Sequence, residues 1–359
     1  SDWSSDVCSS DLYALTLNFS TNPVWYAVQA LPSLANISTK RPENAFYVFY
    51  ANTLSAHIAN NIPNLMAYIK KWQIETPDAL LSQLEKDQDL KAILLQETPW
   101  VLEAKSEHEQ RSRIATLFEV NNLRQQQHET LELLEKTQMY GGGWPWFEGM
   151  PESPMITAYI LSGFGKLQKM GAWTFMNNAD QRKADRICEK AVKYLEYNVS
   201  EVYRRMLHYK EEWNISGGIM DQLYALSFFK EQTSDKDFVK AKAYFLSRLG
   251  QNKEWRQFGF GDRAEAAMLL YRNGDEKTAK AIIASFKETA MKNEQIGMYW
   301  PKRYFSWISH IATHAQIMTA FAEIDQDQET LDKLKVWLLT QKQTTMWENS
   351  ASTADACYA

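Results

Sequence analysis

Several things are scarce or missing in this chain of 359 residues. Its three cysteines, Cys8, Cys188 and Cys357, lie too far apart for metal-ligand spacing and form no disulfide pattern. There is no excess of basic residues: the net charge is -5, so the electrostatic footprint of a nucleic-acid binder is absent. No apolar run approaches the length of a membrane span, and no signal peptide opens the sequence. The aspartate clusters of terpene cyclases (DxDD, DDxxD) and the HExxH of zinc proteases do not occur. Convincing strand patterns are nearly missing too, and the only alternating segment is "YALTLNF" at 13–19.

What is present is helical periodicity. The first twelve residues, "SDWSSDVCSSDL", carry no period and read as an adapter-like or disordered tail. The strand and a linker run to residue 21. From 22 onward helices are predicted, with Asn22 capping the first and Pro23 opening it. Ser153-Pro154 starts a helix that Gly171 ends, and Ser234 starts one that stops at Gly250. Asp262 and Glu265 have capping-box spacing ahead of "AAMLLYRNG", which Asn273-Gly274 terminates. The expectation is an all-α domain over 22–359.

The helices recur as units. "YGGGWPWFEGMPESPMITAYIL", "WNISGGIMDQLYALSFF", "QFGFGDRAEAAMLLY", "GMYWPKRYFSWISHIATHAQIM" and "TTMWENSASTADACYA" each pair a glycine or tryptophan turn with an Ala-rich helix. The helix starts, near Thr157, Gln222, Ala264, Thr313 and Thr353, are spaced by about 40 to 65 residues, the period of stacked helical hairpins. Small, Ala-rich helices suit an inner layer and charged ones such as "SDKDFVKAKAYFLSRLG" an outer one. The arrangement predicted is an α/α toroid of repeated hairpins, with a linear solenoid as runner-up. The last hairpin is predicted to be incomplete, because the chain stops about a turn into the helix begun near Thr353.

Candidate residues gather in few places. In "TKRPENAF", Pro42 stands at a first helical position and Glu43 in the first turn, where the helix dipole favours an acid. Phe46, Phe49, Tyr50, Thr53 and His57 follow at helical spacing, and His57 reads as a hydrogen-bonded core histidine. In "GGGWPWF", Gly141, Gly142 and Gly143 permit close backbone approach, while Trp144 and Trp146 lock the hairpin. Trp144, Trp146 and Phe147 beside Glu148 and Glu152 also admit a carbohydrate-active reading, a stacking platform with acid and base. His310 and His314 share a helix face at zinc spacing but have no third ligand, so the pair reads as structural. The acidic "EIDQDQE" at 323–329 reads as a solvated inter-helix link. No metal or cofactor is implied.

The segments "NPVWYAVQALPSL", "YANTLSAHIANNIPN", "LKAILLQETPWVLEA", "GGGWPWFEGM" and "TADACYA", in that order from about Leu15 onward, resemble the thioester domain of bacterial alpha-2-macroglobulins of the Bacteroidetes type. The resemblance implies an α/α toroid inserted through a small β domain, which would supply the strand at 13–19. It implies a large periplasmic or envelope-associated parent, an endopeptidase inhibitor that changes shape when a protease cuts a bait region elsewhere. Partners would be the parent's other domains and, through the parent, target proteases.

Thioester-bearing members carry Cys-x-Glu-Gln after a Leu-Pro-x-Leu segment. Here those positions are Arg41, Pro42, Glu43 and Asn44. Arginine supplies no sulfur and asparagine is a methylene short, so the motif is degenerate and the domain noncatalytic. Arg41 is predicted to reach solvent or to pair with a carboxylate, with Glu43 the local candidate. An envelope scaffold without a protease target is the alternative.

Overall fold

A computed structural model describes residues 23–62, 65, 67, 114, 117, 118, 120–209, 217–230, 236–301, 309–342 and 346–359. The tail at 1–12, the strand predicted at 13–19 and the segment at 90–104 lie outside these residues. The fold is all-α, with twelve α-helices among the described residues. They are α1 (Val24–Ala35), α2 (Pro42–Asn61), α3 (Val120–Thr137), α4 (Pro154–Lys169), α5 (Asn178–Tyr209) and α6 (Gly217–Leu226), then α7 (Lys236–Gly250), α8 (Phe260–Arg272), α9 (Glu276–Thr289), α10 (His310–Ile324), α11 (Gln328–Thr340) and α12 (Ser350–Tyr358). Two short antiparallel pairs interrupt them, β1 (Trp144–Pro145) with β2 (Glu152–Ser153) and β3 (Met291–Asn293) with β4 (Gly297–Tyr299).

Packing follows the alternation of the helices. Each even-numbered helix packs on the next, α2 on α4, then α6, α8, α10 and α12, and α12 returns to α2. Odd-numbered helices lie against this cycle: α3 on α2, α5 on α4 and α6, α7 on α5 and α8, α9 on α8 and α10, α11 on α10, and α1 on both α2 and α12. Burial explains the split. Helix α9 buries one stripe, Ala279, Ile282, Ile283 and Phe286, at the spacing of a surface helix. Helix α2 is buried nearly all round, and α8 buries Gly261 and every residue from Ala264 to Leu270, so each must be surrounded by protein. Close approach within the cycle uses glycine: a Cβ on Gly163 of α4 would overlap the Phe46 ring of α2.

Three tryptophans repeat one device between an odd helix and the next even one. Trp144, Trp300 and Trp347 are fully buried. Each donates its indole N–H to a carbonyl in the last turns of the preceding odd helix: Leu134 of α3 at 2.9 Å, Phe286 of α9 at 3.2 Å and Leu338 of α11 at 2.9 Å. The backbone N–H groups of Trp144 and Trp347 donate to Thr157 Oγ1 (2.9 Å) and Thr353 Oγ1 (3.1 Å), in the first turns of α4 and α12. Both threonines in turn donate to the N-cap carbonyl, Ser153 or Asn349, at 2.8 Å. In the third unit His310 Nε2 bonds the Trp300 carbonyl at 2.7 Å instead.

Helix ends differ from expectation in places. Helix α8 starts at Phe260 behind an extended Gly259, so Asp262 and Glu265 fall inside the helix and form no capping box. Pro23 is the N-cap of α1 and not its first residue, and Pro32 sits within that helix, where its missing N–H removes a backbone bond. Gly171 (φ 78°) and Gly274 (φ 90°) end their helices in the left-handed region, as predicted. The acidic link is not wholly solvated: Glu323 belongs to the last turn of α10 and pairs with Arg272 and Lys169.

Candidate functional site

The start of α2 is built as the sequence suggests, with Arg41 at the N-cap in extended conformation, Pro42 first in the helix and Glu43 in the first turn. Arg41 Nη2 meets Glu43 Oε2 at 2.5 Å, with both side chains partly exposed. Its guanidinium also lies 5.1 Å from the centroid of the Phe147 ring, which comes from the β1–β2 hairpin. Asn44 Nδ2 donates to the Ser38 carbonyl at 2.8 Å, closing the preceding turn. The side chains of Arg41 and Asn44 are thus both engaged in contacts at the helix start.

From Glu43 a hydrogen-bond chain runs inward. Tyr47 donates its hydroxyl to Glu43 Oε1 at 3.0 Å, and Tyr159 of α4 hydrogen-bonds to Tyr47, the two rings edge to face. Burial, then the Glu43 charge, drives the Tyr47 phenol far above its ordinary value. Tyr159, partly buried against the core, moves the same way for the same first reason, so both remain neutral donors. Beyond them, Lys166 of α4 pairs with Asp355 of α12 at 2.7 Å, each side chain 13% exposed. Burial alone would lower the Lys166 ammonium, but the Asp355 carboxylate outweighs it and holds the group above the usual range.

At the other end of α4, α8 and α10, Arg272 Nε and Nη2 grip both oxygens of Glu323 at 2.8 Å. Lys169 reaches the same carboxylate at 2.6 Å, and Arg272 Nη1 donates to Ser227 Oγ at 2.7 Å while stacking on Phe228. These groups border a cavity of about 660 Å³ whose far wall is Asp185, Cys188 and Glu189 of α5. At its Arg272 side the charges are paired with one another.

The junction residues divide by role. Trp144 is the buried lock; Trp146 is only half-buried against the core. Gly142 has φ 102°, and a Cβ there would overlap the Lys190 carbonyl, so glycine is required at that position. Glu152 packs against Gly141 and Gly143, and Glu148 is exposed. With Trp144 sealed inside, the aromatic platform of a sugar site reduces to Trp146 and Phe147. His310 and His314 are held by two separate carbonyls, Trp300 (2.7 Å) and Leu334 (3.0 Å), and both rings pack on Trp337. Burial lowers His314 to about 3, so it stays neutral. His57 is half-buried, edge-on to Phe175 and bonded to Asn61. Cys188 and Cys357 are free thiols on α5 and α12. Burial raises both, Cys357 to about 12, which leaves each a protonated and poor nucleophile.

Among the described residues no group of His, Cys, Asp and Glu is arranged to hold a metal ion, and no helix is long and apolar enough to cross a membrane. Sequence reasoning missed Tyr47, Tyr159, Lys166, Asp355 and Arg272 and misread Glu323 as solvated; the packing of even-numbered helices gives these residues their partners. No family model and no curated protein matches the chain.

Proposed function

We propose that this chain is the α/α toroid of a bacterial alpha-2-macroglobulin-like protease inhibitor, a thioester domain that has lost its thioester. The observation that supports it best is the start of α2. The positions that the resemblance assigns to the bond's two ends hold an arginine paired with Glu43 and an asparagine bonded to Ser38. The Glu43–Tyr47–Tyr159 chain gives the helix start a structural use that needs no electrophile. The closed order of even-numbered helices is what a toroid of hairpins would show. In this reading the domain is noncatalytic. It docks on neighbouring domains of a periplasmic or envelope parent and moves when a protease cuts the bait region, and inhibition is steric.

The test is capture without covalent chemistry. The full-length parent, mixed with a protease, should leave cleavage of a small peptide substrate intact while blocking that of a large protein. Denaturing gels should show no protease adduct, and methylamine should add no mass at positions 41–44. Adducts or methylamine incorporation would overturn the loss of the thioester. Equal cleavage of small and large substrates would overturn entrapment and favour an envelope scaffold. Arg41→Cys with Asn44→Gln in the parent should restore little amine reactivity, because Ser38 and Lys40 keep the turn polar.

A further inference from the structure

Glu265 sits in the middle of α8 and is 7% exposed. Gln316 of α10 donates Nε2–H to its Oε1 at 3.0 Å. The other oxygen, Oε2, is buried and meets no donor among the described residues. What the carboxyl does meet is a second acid: Asp221 of α6 hydrogen-bonds to it, carboxyl to carboxyl. Asp262, on α8 itself, adds a third negative group nearby.

Two ionised carboxylates are acceptors only and repel, so a carboxyl pair in hydrogen-bond contact holds a proton between its members. The surroundings offer no better neutraliser. From α4 the ammonium of Lys166 acts on Glu265 at a distance while bound to Asp355. From α6 come Asp221 and the buried phenol of Tyr224, and from α10 the uncharged Gln316. Helices α7 and α9 turn apolar faces to the core, among them Phe245 and Phe286.

We infer that Asp221 and Glu265 form a one-proton site joining α6, α8 and α10, and that the cohesion of these three helices depends on that proton. Burial and the Asp221 charge hold the Glu265 carboxyl well above its ordinary 4.5, and burial lifts Asp221 to about 6. The folded chain therefore keeps a proton that the unfolded chain releases. Stabilisation is complete below the unfolded value and is lost as pH rises through the folded value of the pair.

Equilibrium unfolding from pH 5 to 9 reads this directly. Measured relative to Glu265→Gln, which leaves the opposing linkage of His314 in place, the wild-type unfolding constant should rise by nearly tenfold per pH unit, the slope of one linked proton, until Glu265 ionises. Glu265→Gln places an untitratable amide in the same space and should remove that slope, and parallel curves for the two proteins would overturn the site. Infrared spectra of the native wild type at pH 7 should show the carbonyl stretch of a buried, protonated acid. Its absence would overturn the proposal whether or not the variant folds. Asp221→Asn should weaken the band's persistence at high pH, because an amide donor lets Glu265 ionise; an unchanged band would show that Asp221 is not the partner.

Discussion

Replacing Lys166 by Met should unfold the closure between α4 and α12 at a cost that its partner sets. Lys166 and Asp355 meet at 2.7 Å, each side chain 13% exposed, and the ammonium also lies 5.3 Å from the Tyr358 ring centroid. Lys166→Met fits the stem but strands the Asp355 carboxylate with little water to solvate it. Breaking a buried pair from one side costs about 3–5 kcal/mol. Replacing both partners, Lys166→Met with Asp355→Leu, removes the stranded charge as well as the attraction, and such exchanges are often near neutral. The two single losses should therefore not add, with a coupling at the upper end of the ~0.5–3 kcal/mol found for contacting residues. Urea unfolding of the wild type, both single variants and the double variant measures all four corners. Amide hydrogen exchange should quicken first in α12 and α1, since α12 has only nine residues and packs on both α1 and α2. A single-variant cost below about 1 kcal/mol, typical of an exposed pair, would refute the reasoning, as would strict additivity.

The tryptophan device makes a second, comparative claim. Trp144→Ala should cost about 3–5 kcal/mol as a fully buried aromatic, and Trp144→Phe about 1–3 kcal/mol for the Leu134 carbonyl left unpaired. Trp146→Ala, at a half-buried position, should cost less than Trp144→Ala, and chemical denaturation that reverses this order would contradict the assignment of the lock. His314 supplies a pH prediction of opposite sign to the carboxyl pair. Its folded value near 3 lies below the ordinary 6.5, so its contribution is full above pH 6.5 and is lost as pH falls toward 3. In proton NMR the His314 ring signals should not titrate between pH 7.5 and 5, and a midpoint near 6.5 would show that the ring is solvated.

Local chemistry made the helical class legible. Gly171, Gly274, Pro42 and Pro154 punctuate helices where their backbone preferences put them, and the repeated Trp-turn-helix units foretold the alternation of one-sided and all-round burial. The threonines chosen as helix landmarks, Thr157 and Thr353, proved to be the acceptors for the tryptophan backbone. Other readings failed because spacing is ambiguous. Asp262 and Glu265 stand three apart, which serves a capping box and equally one face of a buried helix. Only the extended Gly259 behind Phe260, a tertiary detail, decides between them. Glu323 looked solvated among polar neighbours because Arg272, fifty-one positions earlier, is brought to it by packing alone. The local part of the α2 start, with its Glu43 partner for Arg41, was readable from four residues. Phe147 and Tyr159, more than a hundred residues away, were not.

The meeting of α12 with α1 and α2 gives the molecule a seam. Val24 of α1 and Tyr358 of α12 line one recess of about 400 Å³ at this join. The join resists through the Lys166–Asp355 bond, the apolar contact of α1 with α12, and the hydrogen bond from Tyr50 to the Ala354 carbonyl at 3.4 Å. Resistance to a pull that separates α12 from α1 and α2 therefore rests on these few contacts.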